Sequence, residues 1–165
     1  MKHMTTPLTL EQVQELKAGD QILLSGVIYT ARDAAHKRLV ALIERGQVFG
    51  SGGPTTAGRM DAYAPTLMKL GLRGMIGKGY RQQVVKDAMQ TYHCVYFGAI
   101  GGAGAYISRC VESSEVIAFE DLGPEAIRRL VVKDFPLTVI IDSQGNDLYE
   151  MGRKQYIKEH QHVHS

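Results

Sequence analysis

The sequence predicts an α/β fold, in which a mixed sheet is flanked by helices. Apolar, β-branched runs alternate with segments of helical periodicity through much of the chain, and turn-forming glycine and proline residues separate them. Strands and helices that alternate along a chain are typical of α/β proteins. The length of 165 residues fits a single domain, residues 1–165, that can bury a substantial core.

The first elements follow from a cap and from two apolar patterns. Thr9 can cap a helix, and Gln12 stands three residues later, as in a capping box. This helix is predicted to end at Gly19. Residues 21–29 are apolar and β-rich, which predicts a buried strand. Residues 30–33 have the Thr-x-x-Asp pattern of a second helix start, and apolar residues recur at helical spacing after them.

The middle of the chain begins with a glycine-rich turn at residues 50–54. After this turn, Pro65 must kink or restart a helix, because proline lacks the amide proton and clashes with the preceding turn. A short strand over residues 73–77, a helix over 81–92 and a strand over 94–100 are predicted to follow.

The last third is predicted to contain a strand over residues 116–119 and a short helix over 124–130, which has a proline in its first turn. Residues 137–142 and 147–149 flank a Ser-Gln-Gly-Asn turn, so they are predicted to pair as a hairpin. The polar tail, residues 152–165, is expected to be flexible.

Composition limits the classes of partner. The net charge of +2 gives no electrostatic reason to expect nucleic acid. No apolar run reaches the roughly 20 residues of a membrane helix, and the N-terminus has no apolar signal-peptide core. We therefore expect a cytoplasmic protein with neither a nucleic-acid nor a membrane partner. The two cysteines, Cys94 and Cys110, stand among apolar neighbours and are expected to be free. Two thiolates are too few for an iron–sulfur cluster, which needs roughly three or four.

Three segments place a cation directly after a strand end or a glycine turn, and the cations are Arg32, Arg59 and Lys78. In α/β folds, ligands gather where strand ends meet helix starts, and helix N-termini suit anions. Arginine can bind a carboxylate through two parallel hydrogen bonds, and lysine adds a compact charge. The three cations would together suit a small dicarboxylate. The alternative is that they are solvated surface residues beside structural glycines.

Strings around these cations resemble the class I, iron–sulfur-dependent fumarase and L(+)-tartrate dehydratase family. They are YTARDAAHKR at 29–38, GPTTAGRMD at 53–61 and MIGKG at 75–79, with weaker similarity up to about residue 150. The matching unit in that family is the β subunit, or the C-terminal domain of single-chain fumarases. The resemblance implies a swivelling β/β/α domain that closes over a 4Fe–4S cluster held by a partner α subunit. It also implies a hydro-lyase, most simply one that hydrates fumarate to malate, and a chain that is inactive alone.

The resemblance also implies roles for single residues. The same three cations would bind the substrate carboxylates, and Thr55 and Thr56 would lie beside the reacting carbons. Thr55 is the better candidate for proton transfer, although a hydroxyl needs a neighbour to activate it. Three further residues are expected to orient the arginines without contacting the substrate: Asp33, His36 and Asp61.

The predicted site lies at a subunit boundary. An apolar or glycine-lined surface near Gly52, Gly53 and residues 101–104 is therefore expected to stay open for the α subunit. Without that partner, the surface could self-associate into a homo-oligomer. Family members also have a longer connection between the helix ending near Arg45 and the segment beginning at Gln47, which only Gly46 separates here.

Other interpretations remain open at the level of sequence. Residues 98–104 are glycine-rich and follow a strand, but they lack the G-x-G-x-x-G spacing of a dinucleotide site, so close packing or an approach to the α subunit's site is expected instead. Alternating histidines, His160, His162 and His164, could bind a metal ion, although a disordered tail is the expectation. L(+)-tartrate competes with fumarate as substrate. In the family that the chain resembles, the tartrate branch tends to replace the alanines of residues 31–36 with bulkier or sulfur-bearing residues, so the resemblance favours fumarate. A non-catalytic dicarboxylate-binding or assembly module is the alternative outside the enzymes.

Overall fold

A computed structural model describes residues 1–30, 34, 35, 37, 38, 55, 56, 63–77, 79–99 and 109–163. For residues 55, 56, 156 and 158–163 it describes the backbone alone. The elements are β1 (Lys2–Thr5), α1 (Leu10–Glu15), β2 (Gln21–Thr30), β3 (Thr55–Thr56), α2 (Ala64–Lys69), β4 (Gly74–Gly77), α3 (Gln83–Tyr92), β5 (Val95–Ala99), β6 (Val111–Ala118), a 3₁₀ helix (Glu120–Glu125), β7 (Ile127–Ile141) and α4 (Leu148–Val163). Residues 34, 35, 37 and 38 are also helical. Within these ranges, no helix combines the length and the apolar character needed to cross a membrane.

The seven described strands form one sheet in the order β1-β2-β7-β5-β4-β3, and β6 pairs with β7. β1 is parallel to β2, while β3, β4 and β5 are parallel to one another. β7 is antiparallel to β2, β5 and β6. The predicted α/β fold with a mixed sheet is therefore confirmed.

β7 joins two different parts of the sheet. One of its edges pairs with β2 along most of its 15 residues. The other edge pairs with β6 through residues 127–132 and with β5 through residues 137–141. We call β2, β6 and β7 the antiparallel arm, and β3, β4 and β5 the parallel end.

Two apolar clusters cover the two faces of the sheet. The first includes Val13 of α1 and Leu16 directly after it, together with Phe97 of β5, and the second includes Met89 of α3 together with Tyr96 of β5. Consecutive residues of a strand point to opposite faces, so Tyr96 and Phe97 place the clusters on opposite sides. Burial on both faces is the usual state of parallel strands.

The predicted short helix over residues 124–130 is wrong. The 3₁₀ helix ends at Glu125, and β7 begins at Ile127. Leu130 and Val132 alternate with more exposed neighbours and enter the first apolar cluster. Pairing with β2 on one edge and β6 on the other outweighs the local helix signal of the proline.

The predicted strand over residues 147–149 is also wrong. Asp147 makes one isolated antiparallel bridge with Ile141, and α4 begins at Leu148. The Asp147 carboxylate accepts a hydrogen bond from the backbone N–H of Tyr149 at 2.9 Å, as an N-terminal helix cap does. The predicted hairpin is thereby reduced to a single bridge.

Several other element predictions are confirmed. The capping box is present, because Thr9 Oγ1 accepts from the Gln12 N–H at 3.1 Å and the Gln12 side chain accepts from the Thr9 N–H at 3.0 Å. Pro65 stands in the first turn of α2, which begins at Ala64, and the preceding residues 57–62 lie outside the described residues. The expected flexible tail is helical up to Val163, and since a helical backbone does not measure mobility, its flexibility stays a prediction.

Candidate functional site

The parallel end brings three strand ends to one edge of the sheet. β3, β4 and β5 run in the same direction and end at Thr56, Gly77 and Ala99. We call this the carboxyl edge. Ligands of open α/β sheets bind beyond the carboxyl ends of parallel strands. The carboxyl edge is therefore the candidate site that the topology provides.

Pairing fixes how these strand ends line up. Thr56 pairs with Gly77, and Gly77 pairs with Gly98 of β5. Gly98 in turn pairs with Thr138 of β7. The described ends of β3, β4 and β5 therefore form one row of neighbouring residues. In the sequence these ends are followed by residues 57–61, Lys78 and residues 100–104.

Most of the predicted site side chains lie outside the described residues. This applies to Arg32, Asp33, His36, Arg59, Asp61 and Lys78, and also to Gly52, Gly53 and residues 101–104. Thr55 and Thr56 form the backbone of β3, opposite Ile76 and Gly77. The convergence of the three cations on one pocket stays a prediction, as do the roles of the two threonines.

The strand that precedes Arg32 ends at a different level of the sheet. Thr138 pairs with both Gln21 and Gly98, so the first residue of β2 is level with the carboxyl edge. β2 continues to Thr30, which pairs with Arg128. At about 3.3 Å per residue, its end lies roughly 30 Å of strand further along. The register therefore groups the strand ends that precede Arg59 and Lys78, and it does not include the end that precedes Arg32.

A second arginine of the YTARDAAHKR string has a structural contact. Both terminal nitrogens of Arg38 donate to the Asp121 carboxylate at 2.8 Å, and the guanidinium lies 5.1 Å from the centre of the Phe119 ring. These hydrogen bonds lower the pKa of Asp121. Arg38 therefore connects the segment after β2 to the 3₁₀ helix after β6.

The turn after β4 is attached to a buried tyrosine that the sequence analysis did not single out. The Tyr96 hydroxyl donates to the carbonyl oxygen of Gly79 at 3.1 Å, and the Arg81 guanidinium lies 5.0 Å from the centre of the Tyr96 ring. A tyrosine inside an apolar strand is typical of the core. Its hydroxyl was the signal to follow, because a buried hydroxyl requires a partner.

Gly98 explains part of the glycine-rich run after β5. A Cβ at this position would stand 3.0 Å from Cγ1 and 3.2 Å from Cδ1 of Ile140. A side chain at this position would therefore require Ile140 of the neighbouring strand to shift by a few tenths of an ångström. This supports close packing as the role of this glycine and gives no support to the dinucleotide alternative.

The cysteines do not fit a cluster-binding role. Cys94 is fully buried, and burial raises the pKa of its thiol to about 12. Cys110 is half-buried, and its Sγ lies 3.8 Å from the carbonyl oxygen of Asp134. A cluster needs thiolates that stand together. Among the described residues, no three His, Cys, Asp or Glu side chains form a group that could hold a metal ion.

A cavity of about 280 Å³ lies beside the sheet. It is lined mainly by apolar residues of β2, β4, β5 and the segments after β1 and before β4, including Val27, Ile76 and Phe97, and the last two immediately precede Gly77 and Gly98 of the carboxyl edge. Arg73 also lines it, and its guanidinium donates to the carbonyl oxygen of Tyr92 at 2.6 Å. The strand ends Thr56, Gly77 and Ala99 are not among its lining residues, so this cavity does not include the carboxyl edge itself.

Comparison with known proteins shows which family this chain resembles. The family model described as "Fumarase C-terminus" matches residues 2–50 and 43–152. A "Putative fumarate hydratase class I" of Geobacillus stearothermophilus is 38% identical over 170 aligned positions, which cover 89% of this chain and 33% of that protein. The anaerobic class I fumarate hydratase of Escherichia coli is 34% identical over 86% of this chain and 30% of its own length. A "Putative L(+)-tartrate dehydratase subunit beta" of Methanocaldococcus jannaschii is 31% identical over 96% of each chain.

These matches differ in length and in continuity. The chain spans about a third of the fumarate hydratases it matches, but nearly all of the tartrate dehydratase β-subunit relative. The family model matches in two segments that overlap at residues 43–50. The interrupted match agrees with the short connection between Arg45 and Gln47, where the relatives are expected to have more residues.

Proposed function

Because the chain belongs to the fumarase C-terminus family, we propose that it is the β-type subunit of an iron–sulfur-dependent hydro-lyase, and that fumarate is its substrate. The named relatives are hydro-lyases. The observation that carries the proposal is the carboxyl edge, where β3, which consists of Thr55 and Thr56, pairs directly with β4, the strand that precedes Lys78.

The proposed role of this chain is to bind the substrate carboxylates. In the sequence, Lys78 directly follows Gly77 of the carboxyl edge, and Arg59 stands three residues after Thr56 of the same edge. Fixed cations beside a carboxylate stabilise the negative charge that develops when a proton leaves the neighbouring carbon. In this proposal Arg32 is the third cation. Because β2 ends away from the carboxyl edge, the segment after β2 must return toward that edge for Arg32 to bind the same substrate. Asp33, His36 and Asp61 are proposed to orient the arginines.

The threonines of β3 are proposed to lie beside the reacting carbons. A hydroxyl at the reacting carbon can transfer a proton only when a neighbouring group activates it. Thr55 is assigned this role, and Thr56 is assigned to lining the site. Pairing of β3 with β4 gives both residues a fixed backbone position.

The 4Fe–4S cluster is proposed to come from a partner α subunit. The donor set of this chain does not fit a cluster, since it contains two cysteines and one of them is buried with a pKa of about 12. The full-length match to a protein named as a β subunit supports a two-subunit arrangement. The isolated chain is accordingly expected to show no hydratase activity.

L(+)-tartrate is the second candidate substrate. The relative that matches over 96% of both chains carries the name of a tartrate dehydratase subunit, whereas the fumarate hydratase relatives are about three times longer. Tartrate and fumarate are both small dicarboxylates, so the same cations would suit either. Activity toward the two substrates decides between them.

The test is anaerobic co-purification of the full chain with its cluster-bearing partner, followed by kinetics on fumarate and L(+)-tartrate. Arg59→Ala should mainly raise KM, because an arginine–carboxylate pair exists in both the ground state and the transition state. Thr55→Val should mainly lower kcat, by about 10²–10⁴-fold, because its hydroxyl matters when the proton moves. Lys69→Ala, at the exposed end of α2, is the control and should change neither constant.

Three results would overturn parts of the proposal. Turnover by the isolated chain at the rate of the complex would remove the α subunit from the mechanism. A normal kcat for Thr55→Val would transfer proton abstraction to the partner chain. If the complex forms and turns over neither substrate, the chain is a non-catalytic dicarboxylate-binding or assembly module.

A further inference from the structure

The backbone after β4 is attached to the core at two points. Tyr96 is fully buried, and its hydroxyl donates to the carbonyl oxygen of Gly79 at 3.1 Å. Arg81 is 6% exposed, and its guanidinium lies 5.0 Å from the centre of the same ring. The Tyr96 side chain therefore contacts residues 79 and 81, two of the residues that connect β4 to α3.

Gly79 has a backbone conformation that favours glycine. Its φ is +92°, a region that residues with side chains rarely adopt, and open space surrounds the position where a Cβ would stand. The glycine is therefore required for its conformation and not for close packing. A glycine in a turn has more conformational freedom than any other residue, so an added contact is needed to select one turn geometry.

We propose that Tyr96 is a positioning residue for Lys78. The residue before Lys78, Gly77, is fixed by pairing with Thr56 on one side and Gly98 on the other. The residue after it, Gly79, is fixed by the Tyr96 hydroxyl. Both backbone neighbours of the proposed substrate-binding cation are thus attached to the sheet, one by the strand ladder and one by Tyr96.

Lysine depends on such support more than arginine does. Its ammonium is a point charge on a flexible stem, without a planar fork to set its direction. A binding side chain on a loop is held accurately only when neighbouring residues fix its backbone. Tyr96 suits this role because the apolar cluster that includes Met75 and Met89 holds its ring.

The inference rests on the proposed role of Lys78, so its test must separate the two. The probe is fumarate, titrated into the full chain and followed by NMR, with wild type, Tyr96→Phe, Lys78→Ala and the double variant compared. Tyr96→Phe keeps the ring under Arg81 and removes the hydroxyl. Tyr92→Phe, half-buried beside the same cluster, is the matched control.

We expect Tyr96→Phe to raise the fumarate Kd about threefold to tenfold, the range of one hydrogen bond. The double variant should bind no more weakly than Lys78→Ala, because Tyr96 acts through Lys78. The ¹⁵N–¹H heteronuclear NOE of the Lys78 amide, measured without ligand, should fall in Tyr96→Phe and stay at the wild-type value in Tyr92→Phe.

The outcomes separate the two ideas. If Lys78→Ala weakens fumarate binding and Tyr96→Phe does not, or if Tyr96→Phe weakens it equally with and without Lys78, Tyr96 is a structural residue only. An unchanged Lys78 NOE in Tyr96→Phe overturns the inference even if the wild-type chain alone binds no fumarate. If Lys78→Ala leaves fumarate affinity unchanged, the proposed role of Lys78 is wrong and the inference falls with it.

Discussion

The antiparallel arm and the parallel end use their strands differently. The strands of the arm, β2, β6 and β7, are 10, 8 and 15 residues long, and β2 and β6 each pair with β7 through most of their length. Those of the parallel end are 2, 4 and 5 residues long, with glycines paired at their carboxyl ends. The arm therefore holds most of the ladder, and the parallel end presents short strand ends to a ligand. A site at short strand ends depends on the longer strands beside it to hold those ends in place.

The comparison also separates two kinds of cation. Arg38 and Arg129 pair with carboxylates of Asp121 and Glu115 in and beside the arm. In the parallel end, Lys78 follows directly after a strand and is proposed to bind substrate. Exposed ion pairs contribute little to stability, so the arm's pairs serve mainly to connect segments.

The largest effect is expected in the core of the arm. Phe135→Ala should lower the free energy of unfolding by about 3–5 kcal/mol, because Phe135 is 1% exposed and its removal leaves a cavity in the first apolar cluster. Urea unfolding gives this number from the shift of the midpoint at constant slope. Lys133→Ala, exposed on the same strand, is the control and should stay within about 0.5 kcal/mol. A loss under about 1 kcal/mol for Phe135→Ala would mean that the arm is not the scaffold.

The next largest loss of stability is expected at a buried ion pair between α3 and the residue before α4. Lys86 of α3 bonds to Asp147 at 3.0 Å and to Glu150 at 2.6 Å, and Lys86 and Asp147 are both nearly inaccessible. Lys86→Ala should cost about 3 kcal/mol, because it leaves the Asp147 carboxylate buried without its cation. Lys69→Ala, on the exposed end of α2, is the control for urea unfolding.

The same pair predicts a dependence on pH. Burial by itself lowers the pKa of Lys86, but hydrogen bonds to Glu150 and Asp147 outweigh it, so the pKa is raised above its ordinary 10.5. A raised lysine pKa stabilises the folded chain fully below pH 10.5, and the contribution is lost as the pH rises through the raised value. The stability gap between wild type and Lys86→Ala should therefore be constant from pH 7 to 9 and narrow above about pH 10.5. A gap that is unchanged at pH 11 contradicts this mechanism.

Sequence patterns predicted the arm and the parallel end unequally. β2, β4 and β5 followed from apolar runs, since local composition is enough for a buried strand. β7 was missed at its start, because Pro124 and its neighbours favour a helix locally, while β2 and β6, distant in sequence, pair with residues 127–132. A sequence does not show which strands pair, so only the structure shows that Thr56, Gly77 and Gly98 are neighbours. The assignment of Arg59 and Lys78 as substrate-binding cations rests on the sequence alone.

A smaller contrast is expected between the two cysteines. Cys94 lies fully buried beside β5, and burial raises the pKa of its thiol to about 12, whereas Cys110 beside β6 is half-buried. Iodoacetamide reacts with the thiolate, so native Cys94 should label at least about 100-fold more slowly than Cys110 at pH 8. Peptide mass spectrometry measures both rates, and labelling in urea, where the two should agree, is the control. Equal rates in the native chain would place Cys94 at an accessible position.

The smallest effect is expected at the cap of α1, which packs on the arm. Thr9→Ala removes the Oγ1 that accepts from the Gln12 N–H, and should cost about 1 kcal/mol in urea unfolding. The loss is modest because α1 is also held through Val13 and Leu16, which are 0% and 1% exposed within the first apolar cluster. Thr9→Ser keeps a hydroxyl at the cap and should restore stability to within a few tenths of a kcal/mol. If serine is as damaging as alanine, the threonine acts through packing, and the cap contributes nothing to the stability of the arm.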